Sequence, residues 1–155
     1  MSRYYRLRRQ LADVGPEPRP PIGVCQRPLW QAHPIALHRL LLAAYADGGG
    51  AVGSFDDWFW PLVEDAEFDP KLVLIAADAD GTPIGLAQCW TSGYVKDLVV
   101  APGHRDRGIG GWLLQSAFCH LKARGLGHVD LKVQSDNLAA RRFYARHGME
   151  PVVAP

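Results

Sequence analysis

The sequence predicts a mixed α/β (α+β) fold with a central, mostly antiparallel sheet, a late β-α-β crossover and flanking helices. Two observations predict this arrangement. Apolar runs separated by short turn signals over residues 71–100 are typical of antiparallel strands joined in hairpins. The remainder of the chain then alternates between helical and extended patterns. A crossover that follows hairpins favours a mixed sheet over a doubly wound parallel sheet.

The first half of the chain contains one predicted strand and two predicted helices. "IGVC" (residues 22–25) could form the first strand. A dense helical pattern runs over residues 34–45, and three consecutive glycines at 48–50 stop it. Ser54 is placed to cap a second helix, because apolar residues recur at helical spacing after it.

The second half predicts five strands and two helices. Three strands are expected at "KLVLIAAD", "PIGLAQCW" and "YVKDLVV", with "DGT" and "SG" as the turns between them. A helix is expected over residues 109–124, followed by the strand "HVDLKVQ". The cluster Ser135-Asp136-Asn137 contains good capping residues for a last helix that Gly148 closes, and "MEPVV" is a final short strand.

Composition is that of an ordinary globular domain, with 48% hydrophobic residues, 21% charged residues and a net charge of +1. This balance predicts neither a nucleic-acid partner nor a membrane partner. Three widely spaced cysteines match no zinc or disulfide pattern, so we expect no metal and reduced thiols. No apolar run reaches membrane-spanning length, and the first ten residues lack a secretory apolar region, so we expect a cytoplasmic protein.

Residues 1–21 are expected to form an N-terminal arm, separate from a domain over residues 22–155. The arm holds five arginines and ends in four closely spaced prolines, which indicate an extended connector. We interpret it as packing on its own domain or on a partner. The alternative is an arginine-rich segment that binds nucleic acid or a membrane.

The stretch "GHRDRGIGGWLL" (residues 103–114) places glycines and positive charge at the same bend. A strand that enters a helix through such a bend exposes unpaired N–H groups at the positive end of the helix dipole, and this arrangement binds phosphates. The Walker pattern is absent, and a dinucleotide fingerprint would need glycine where Leu113 stands. The alternative is a basic surface loop.

The stretch "VKDLVVAPGHRDRGIGGWLL" resembles the acetyl-CoA-binding motif of the GNAT superfamily of acyl-CoA N-acyltransferases. A second stretch, "DNLAARRFYARHGM", is similar to the other signature of that family, with Met149 in place of the usual phenylalanine. The resemblance covers about residues 95–149 and implies a GNAT-type fold. The matching positions are Leu98, Val100, Pro102, Arg105, Gly108, Gly110, Asn137, Ala140, Phe143, Tyr144 and Gly148.

The resemblance implies that acetyl-CoA is the cofactor and indicates which residues bind it. Its pyrophosphate would lie on the bend, and its pantetheine arm would lie beside the strand and touch Asn137, which could equally be a helix cap. Tyr144 would be the general acid. Asp97 is a candidate general base, with a structural role as the alternative, and strand alternation predicts no salt bridge between it and Lys96. The expected cofactor-binding residues are Leu98, Val99, Val100, Arg105, Arg107, Gly108, Ile109, Gly110, Gly111, Asn137 and Tyr144.

The function implied is an N-acetyltransferase that moves an acetyl group from acetyl-CoA to an amine by direct attack in a ternary complex. The alternative is a non-catalytic acyl-CoA-binding or regulatory module on the same fold. The acceptor would be an amine on a small molecule or peptide. Six acids and two tryptophans over residues 54–69 would suit a cationic amine, unless Trp58 faces the core and the acids face solvent.

The C-terminus departs from the family pattern. Only seven residues follow Gly148, enough for one short strand where family members usually have two. The last sheet edge is therefore expected to be short or open, and open edges attract further strands. We expect the N-terminal arm or a neighbouring chain to cover it, and the second option would give a homodimer.

Overall fold

The computed structural model describes residues 3–153. Four α-helices and seven β-strands follow one another in an order that confirms the predicted mixed fold. The strands are β1 (Tyr4–Gln10), β2 (Cys25–Arg27), β3 (Val73–Ala77), β4 (Pro83–Cys89), β5 (Val95–Val100), β6 (His128–Gln134) and β7 (Glu150–Pro151). The helices are α1 (Pro34–Tyr45), α2 (Phe55–Glu64), α3 (Ile109–Ala123) and α4 (Leu138–Arg146).

The strands form two antiparallel sheets that lie side by side. One has the order β2-β3-β4-β5 and the other the order β6-β1-β7. A single parallel bridge between Tyr94 and Asp130 joins β5 to β6 at one end. The facing edges of β5 and β6 are not otherwise paired along the described strands, so backbone groups of β5 border a space between the two sheets.

The first strand lies within the predicted arm, which corrects the assignment of "IGVC" as the first strand. β1 pairs with β6 along its whole length, from Tyr4 opposite Gln134 to Gln10 opposite His128, and β7 pairs with the other edge of β1. The arm therefore packs on its own domain. β1 lies between β6 and β7 in the sheet.

A buried ion cluster fixes β1 against β6. The Asp130 carboxylate, 3% exposed, accepts hydrogen bonds from Arg6 Nε at 2.7 Å and from Arg8 Nε and Nη2 at 2.7 and 2.9 Å. Three of the arm's arginines thus have roles within the fold, because Arg9 also pairs with Asp13. These contacts disfavour the nucleic-acid interpretation of the arm.

Helices cover both faces of the four-stranded sheet. On one face, α3 packs close to β4, where a Cβ on Gly85 would lie 2.9 Å from Leu113 Cδ1. On the other face, α1 and α2 bury a second core that includes Leu37, Leu41 and Trp58. Both predicted caps form, since the Ser54 side chain accepts from Asp57 N and the Asn137 side chain accepts from Ala140 N.

The proline-rich connector after β1 runs along α3. Trp112 Nε1 donates to Pro18 O at 3.2 Å, and Lys122 Nζ donates to Ala12 O and Val14 O. These contacts hold the connector along α3, from Lys122 in its last turn to Trp112 in its first turn. Among residues 3–153, no helix has both the length and the apolar character needed to cross a membrane.

Candidate active site

A cleft of about 1160 Å³ opens between the two sheets at the start of α3. Its walls come from β5, the bend before α3, the inner face of α4, the glycine loop after α1, and the connector at Pro18, Arg19 and Pro21. Every predicted cofactor-binding residue lines this cleft except Arg107. Residues more than a hundred positions apart in sequence are therefore brought to one concave surface.

The bend before α3 presents free backbone N–H groups to the cleft. Gly108 precedes the helix in a left-handed conformation with φ of 81°, and Asp106 also has a positive φ of 62°. Trp112 is the first residue whose N–H reaches an acceptor in the helix, Gly108 O at 3.0 Å. The three preceding N–H groups are unpaired within the helix, and no acidic side chain occupies its first turn.

Two glycines in the first turn of α3 face the end of α4, and the approach is close only at Gly111. A Cβ on Gly111 would lie 2.9 Å from His147 Cε1, and a Cβ on Gly110 would lie 3.5 Å from Phe143. His147 is held there by Gln115 at 3.0 Å, and burial followed by the nearby Arg146 charge lowers its pKa. Gly111 thus leaves room for the His147 ring beside the first turn of α3.

Of the two arginines of the bend, Arg105 lines the cleft and Arg107 does not. Arg105 Nη2 donates to Ala44 O at 3.0 Å, at the C-terminal end of α1, and Arg105 Nε donates to Val100 O at 3.4 Å. Arg105 therefore ties the cleft to α1, where a cation also favours the helix dipole. Arg107 is exposed and does not line the cleft. In this conformation the Arg105 guanidinium is bound to backbone carbonyls at the edge of the cleft, and Arg107 stays outside the cleft.

Tyr144 lies on the α4 face that lines the cleft, beside Phe143 at a ring separation of 5.3 Å. Burial raises the pKa of the Tyr144 hydroxyl to about 12. The group therefore holds its proton at neutral pH. Asn137 also lines the cleft, and while its Oδ1 caps α4, its amide nitrogen is free to donate to another partner.

Asp97 is buried behind the cleft and is reached from it through Tyr45. The Tyr45 hydroxyl donates to Asp97 Oδ1 at 2.5 Å, and Tyr45 itself lines the cleft. Burial, followed by the negative charge of Asp97, raises the pKa of Tyr45 well above its usual value. Asp97 thus has one hydrogen-bonded route to the cleft.

The predicted absence of a Lys96–Asp97 salt bridge is wrong. Lys96 Nζ lies 3.0 Å from Asp97 Oδ2. The pairing of β4 with β5 shifts here, since Gln88 faces Asp97 whereas Cys89 faces Val95. Lys96 is the extra residue of this β-bulge, and a bulge turns side chains away from strict alternation.

Sequence reasoning missed Tyr45, because a tyrosine at the end of an amphipathic helix has no distinguishing pattern. The sequence signal that could have identified it is the run of three glycines at 48–50, which follows Tyr45 closely. A Cβ on Gly50 would lie 2.5 Å from Tyr45 Cε1, so the loop after α1 packs directly on the ring. A Cβ on Gly49 would lie 3.8 Å from Asn137 Nδ2. The loop thus connects Tyr45 with the start of α4.

The acidic residues of α2 lie outside the cleft. Trp58 is 8% exposed and packs in the core, whereas Trp60 is 50% exposed and donates to Asp56. Asp69 pairs with Arg124 at 2.7 Å, and this hydrogen bond lowers its pKa. The structure thus agrees with the alternative in which Trp58 faces the core and the acids face solvent.

Comparison with known proteins agrees with this geometry. Residues 35–149 match the acetyltransferase (GNAT) family. The chain belongs to this family. The GNAT chain also superposes on a GCN5-related N-acetyltransferase from Sphaerobacter thermophilus with a TM-score of 0.81 and 25% identity, covering 97% of this chain and 50% of the other. The expected family and fold are therefore confirmed.

Two curated relatives resemble this GNAT chain over most of its length. The mycothiol acetyltransferase of Clavibacter michiganensis subsp. michiganensis is 37% identical over 116 residues, covering 72% of this chain and 37% of the relative. The streptothricin acetyltransferase of Streptomyces lavendulae is 33% identical over 113 residues, covering 70% of this chain and 56% of the relative. The chain thus spans little more than a third of the first relative and just over half of the second.

Proposed function

We propose that this chain is an N-acetyltransferase that transfers an acetyl group from acetyl-CoA to an amine acceptor by direct attack in a ternary complex. The observation that carries the proposal is the cleft itself. It places the unpaired N–H groups at the start of α3, the free edge of β5 and a protonated tyrosine on one surface.

The residues present fit acetyl-CoA. Three backbone N–H groups at a helix N-terminus suit a pyrophosphate, and no acidic side chain in that turn repels it. The unpaired edge of β5 at Leu98–Val100 offers backbone partners to an amide-containing arm, as an added strand would use them. Asn137 has a side-chain N–H₂ left to donate. When bound, acetyl-CoA would supply an acetyl group activated as a thioester.

Tyr144 is the proposed general acid. With a pKa raised to about 12, it keeps the proton on Oη at neutral pH, so it can donate that proton to a leaving thiolate. A backbone N–H of β5 near Val99 or Val100 would polarise the reacting carbonyl oxygen. These two groups act on opposite ends of the bond that breaks.

Asp97 is the proposed general base, with Tyr45 as the group between it and the cleft. An amine nitrogen must lose a proton before it attacks. The Tyr45 hydroxyl can accept that proton while it passes its own to Asp97 along the existing 2.5 Å hydrogen bond. Tyr45 ends this exchange neutral, which suits a phenol whose ionised form is strongly disfavoured by burial.

The test compares Tyr144→Phe with the unaltered protein. We expect acetyl-CoA to bind with a Kd within twofold of the original, by calorimetry, while amine-dependent thiol release falls at least tenfold. A general acid typically contributes a factor of about 10²–10⁴. If the original protein binds acetyl-CoA but releases thiol with no amine in a broad panel, the non-catalytic acyl-CoA-binding module becomes the correct description.

A further inference from the structure

The proline-rich connector between β1 and β2 runs along α3 in the direction opposite to the helix and reaches the cofactor cleft. In the last turn of α3, Lys122 Nζ donates to Val14 O at 2.8 Å. Further along the connector, Pro18 O accepts from Trp112 Nε1 in the first turn of α3. Consecutive Cα atoms are about 3.8 Å apart, so the next residue, Arg19, lies close to the N-terminal end of α3.

Arg19 lines the cleft there and has no acidic partner. Its side chain is exposed, and it forms no ion pair with any other residue between 3 and 153. The acid nearest to it in the connector, Glu17, lies against His120 of α3 at 3.3 Å. The Arg19 guanidinium is therefore available to a ligand in the cleft.

The charge of the cleft shows why a cation at this place matters. Three carboxylates line the cleft, those of Asp47, Asp106 and Asp136. Three arginines line it as well, namely Arg19, Arg105 and Arg146. Without Arg19, the carboxylates outnumber the arginines, and their charge would repel a phosphate group. Arg105 also already donates to two backbone carbonyls, whereas Arg19 is uncommitted.

We infer that Arg19 binds a phosphate group of acetyl-CoA, which makes the N-terminal connector part of the cofactor site. A guanidinium donates paired hydrogen bonds to phosphate oxygens, and these add to the free N–H groups at the start of α3. The pyrophosphate and the 3′-phosphate of coenzyme A offer Arg19 the same chemistry. This role rests on the cofactor of the proposed function and does not require that the acetyl group is transferred.

The experiment measures, by calorimetry, the Kd of coenzyme A for the original protein, Arg19→Gln and Arg19→Lys. We expect Arg19→Gln to raise the Kd about tenfold, the lower end for a hydrogen bond between charged groups, because the site is open to water. Arg19→Lys should recover part of the loss, since lysine keeps the charge but not the paired geometry. The Tm should not change, because Arg19 is exposed and forms no ion pair among residues 3–153.

A second ligand, 3′-dephospho-coenzyme A, identifies which phosphate Arg19 binds. If it is the 3′-phosphate, this ligand binds equally to the original protein and to Arg19→Gln. If it is the pyrophosphate, Arg19→Gln weakens both ligands by the same factor. The matched control is Arg39→Gln, which removes an exposed arginine of α1 outside the cleft and should leave both Kd values within twofold.

Limited proteolysis gives a readout that is independent of affinity. Because Arg19 would tie the connector to the cofactor, saturating coenzyme A should slow cutting within residues 12–21 of the original protein. At equal occupancy, the protection should be weaker in Arg19→Gln.

A Kd of coenzyme A in Arg19→Gln within twofold of the original, or an equal rise in Arg39→Gln, would overturn the inference and leave the proposed function standing. An original protein that binds no coenzyme A would overturn both. Binding of acetyl-CoA without acetyl transfer to any amine would overturn the proposed function alone.

Discussion

Replacing Asp130 with asparagine should destabilise the protein more than any other single change to a charged residue of β1 or β6. The substitution removes the charge that three N–H groups of Arg6 and Arg8 share. These contacts connect the first residues of the chain to residues more than 120 positions later. The prediction therefore tests whether β1 is an essential part of the sheet.

The expected loss of stability in Asp130→Asn follows from the hydrogen bonds that the substitution weakens. A hydrogen bond to a charged group contributes about 1.5–3 kcal/mol when it is well shielded. Arg6 and Arg8 are 47% and 33% exposed, so water can replace part of what they lose. Asparagine also keeps one acceptor oxygen. We expect the free energy of unfolding to fall by about 2–3 kcal/mol, which lowers the Tm by about 4–12 °C for a chain of this size.

The matched control is Asp13→Asn. Asp13 pairs with Arg9 at the same distance of 2.7 Å and in the same arm, but its side chain is 79% exposed. Exposed pairs contribute little, so we expect a much smaller loss of stability in Asp13→Asn than in Asp130→Asn. Urea unfolding of the two variants and the original protein at pH 7 gives the comparison. Equal losses in the two variants would refute the argument from burial.

The pH dependence of the Tm provides a second test of the Asp130 cluster. Burial raises the pKa of Asp130, but hydrogen bonds from Arg8 and Arg6 outweigh burial and hold the pKa below its usual value. The stability that this carboxylate contributes is therefore complete above its unfolded pKa of about 3.9 and is lost as the pH falls through the folded value. The Tm difference between Asp130→Asn and the original protein should narrow below pH 3; a constant difference down to pH 2 would contradict this linkage.

Three further predictions concern packing. Gly85→Ala should lower the stability by about 1–3 kcal/mol, because the new Cβ would lie 2.9 Å from Leu113 Cδ1, whereas Gly103→Ala, with no atom within 4 Å, should leave the Tm unchanged. Trp112→Phe should lose the hydrogen bond to Pro18 O and about 1 kcal/mol, and limited proteolysis should then cut residues 12–21 faster than in Trp60→Phe. Burial raises the pKa of the Cys89 thiol to about 12, so a thiol reagent at pH 8 should label Cys89 only after unfolding in urea, and labelling of the folded protein at this site would contradict its burial.

Local sequence patterns were sufficient to predict most of the helices and strands. Helix caps depend on residues three or four positions apart, so Ser54 and Asn137 could be assigned from sequence. The bend at Gly108 and the signature around Tyr144 are also contiguous, and this is why the cleft residues could be named before their positions were known. β1 was missed because its arginine-rich sequence lacks a clear apolar alternation, and Asp130, the carboxylate that binds Arg6 and Arg8, lies more than 120 positions away in the chain.

The sequence by itself determined the order of the helices and strands after β1, the family, the form of the glycine bend before α3 and the place of Tyr144 on the last helix. The tertiary structure alone decided which side chains meet. Tyr45 reaches Asp97 across 52 residues, Arg105 at the rim of the cleft donates to Ala44, and Gln88 comes to face Asp97 across a shifted pair of strands. The physical reason is range: caps, turns and periodicity are set by neighbours in the chain, whereas hydrogen bonds between distant elements depend on how those elements pack.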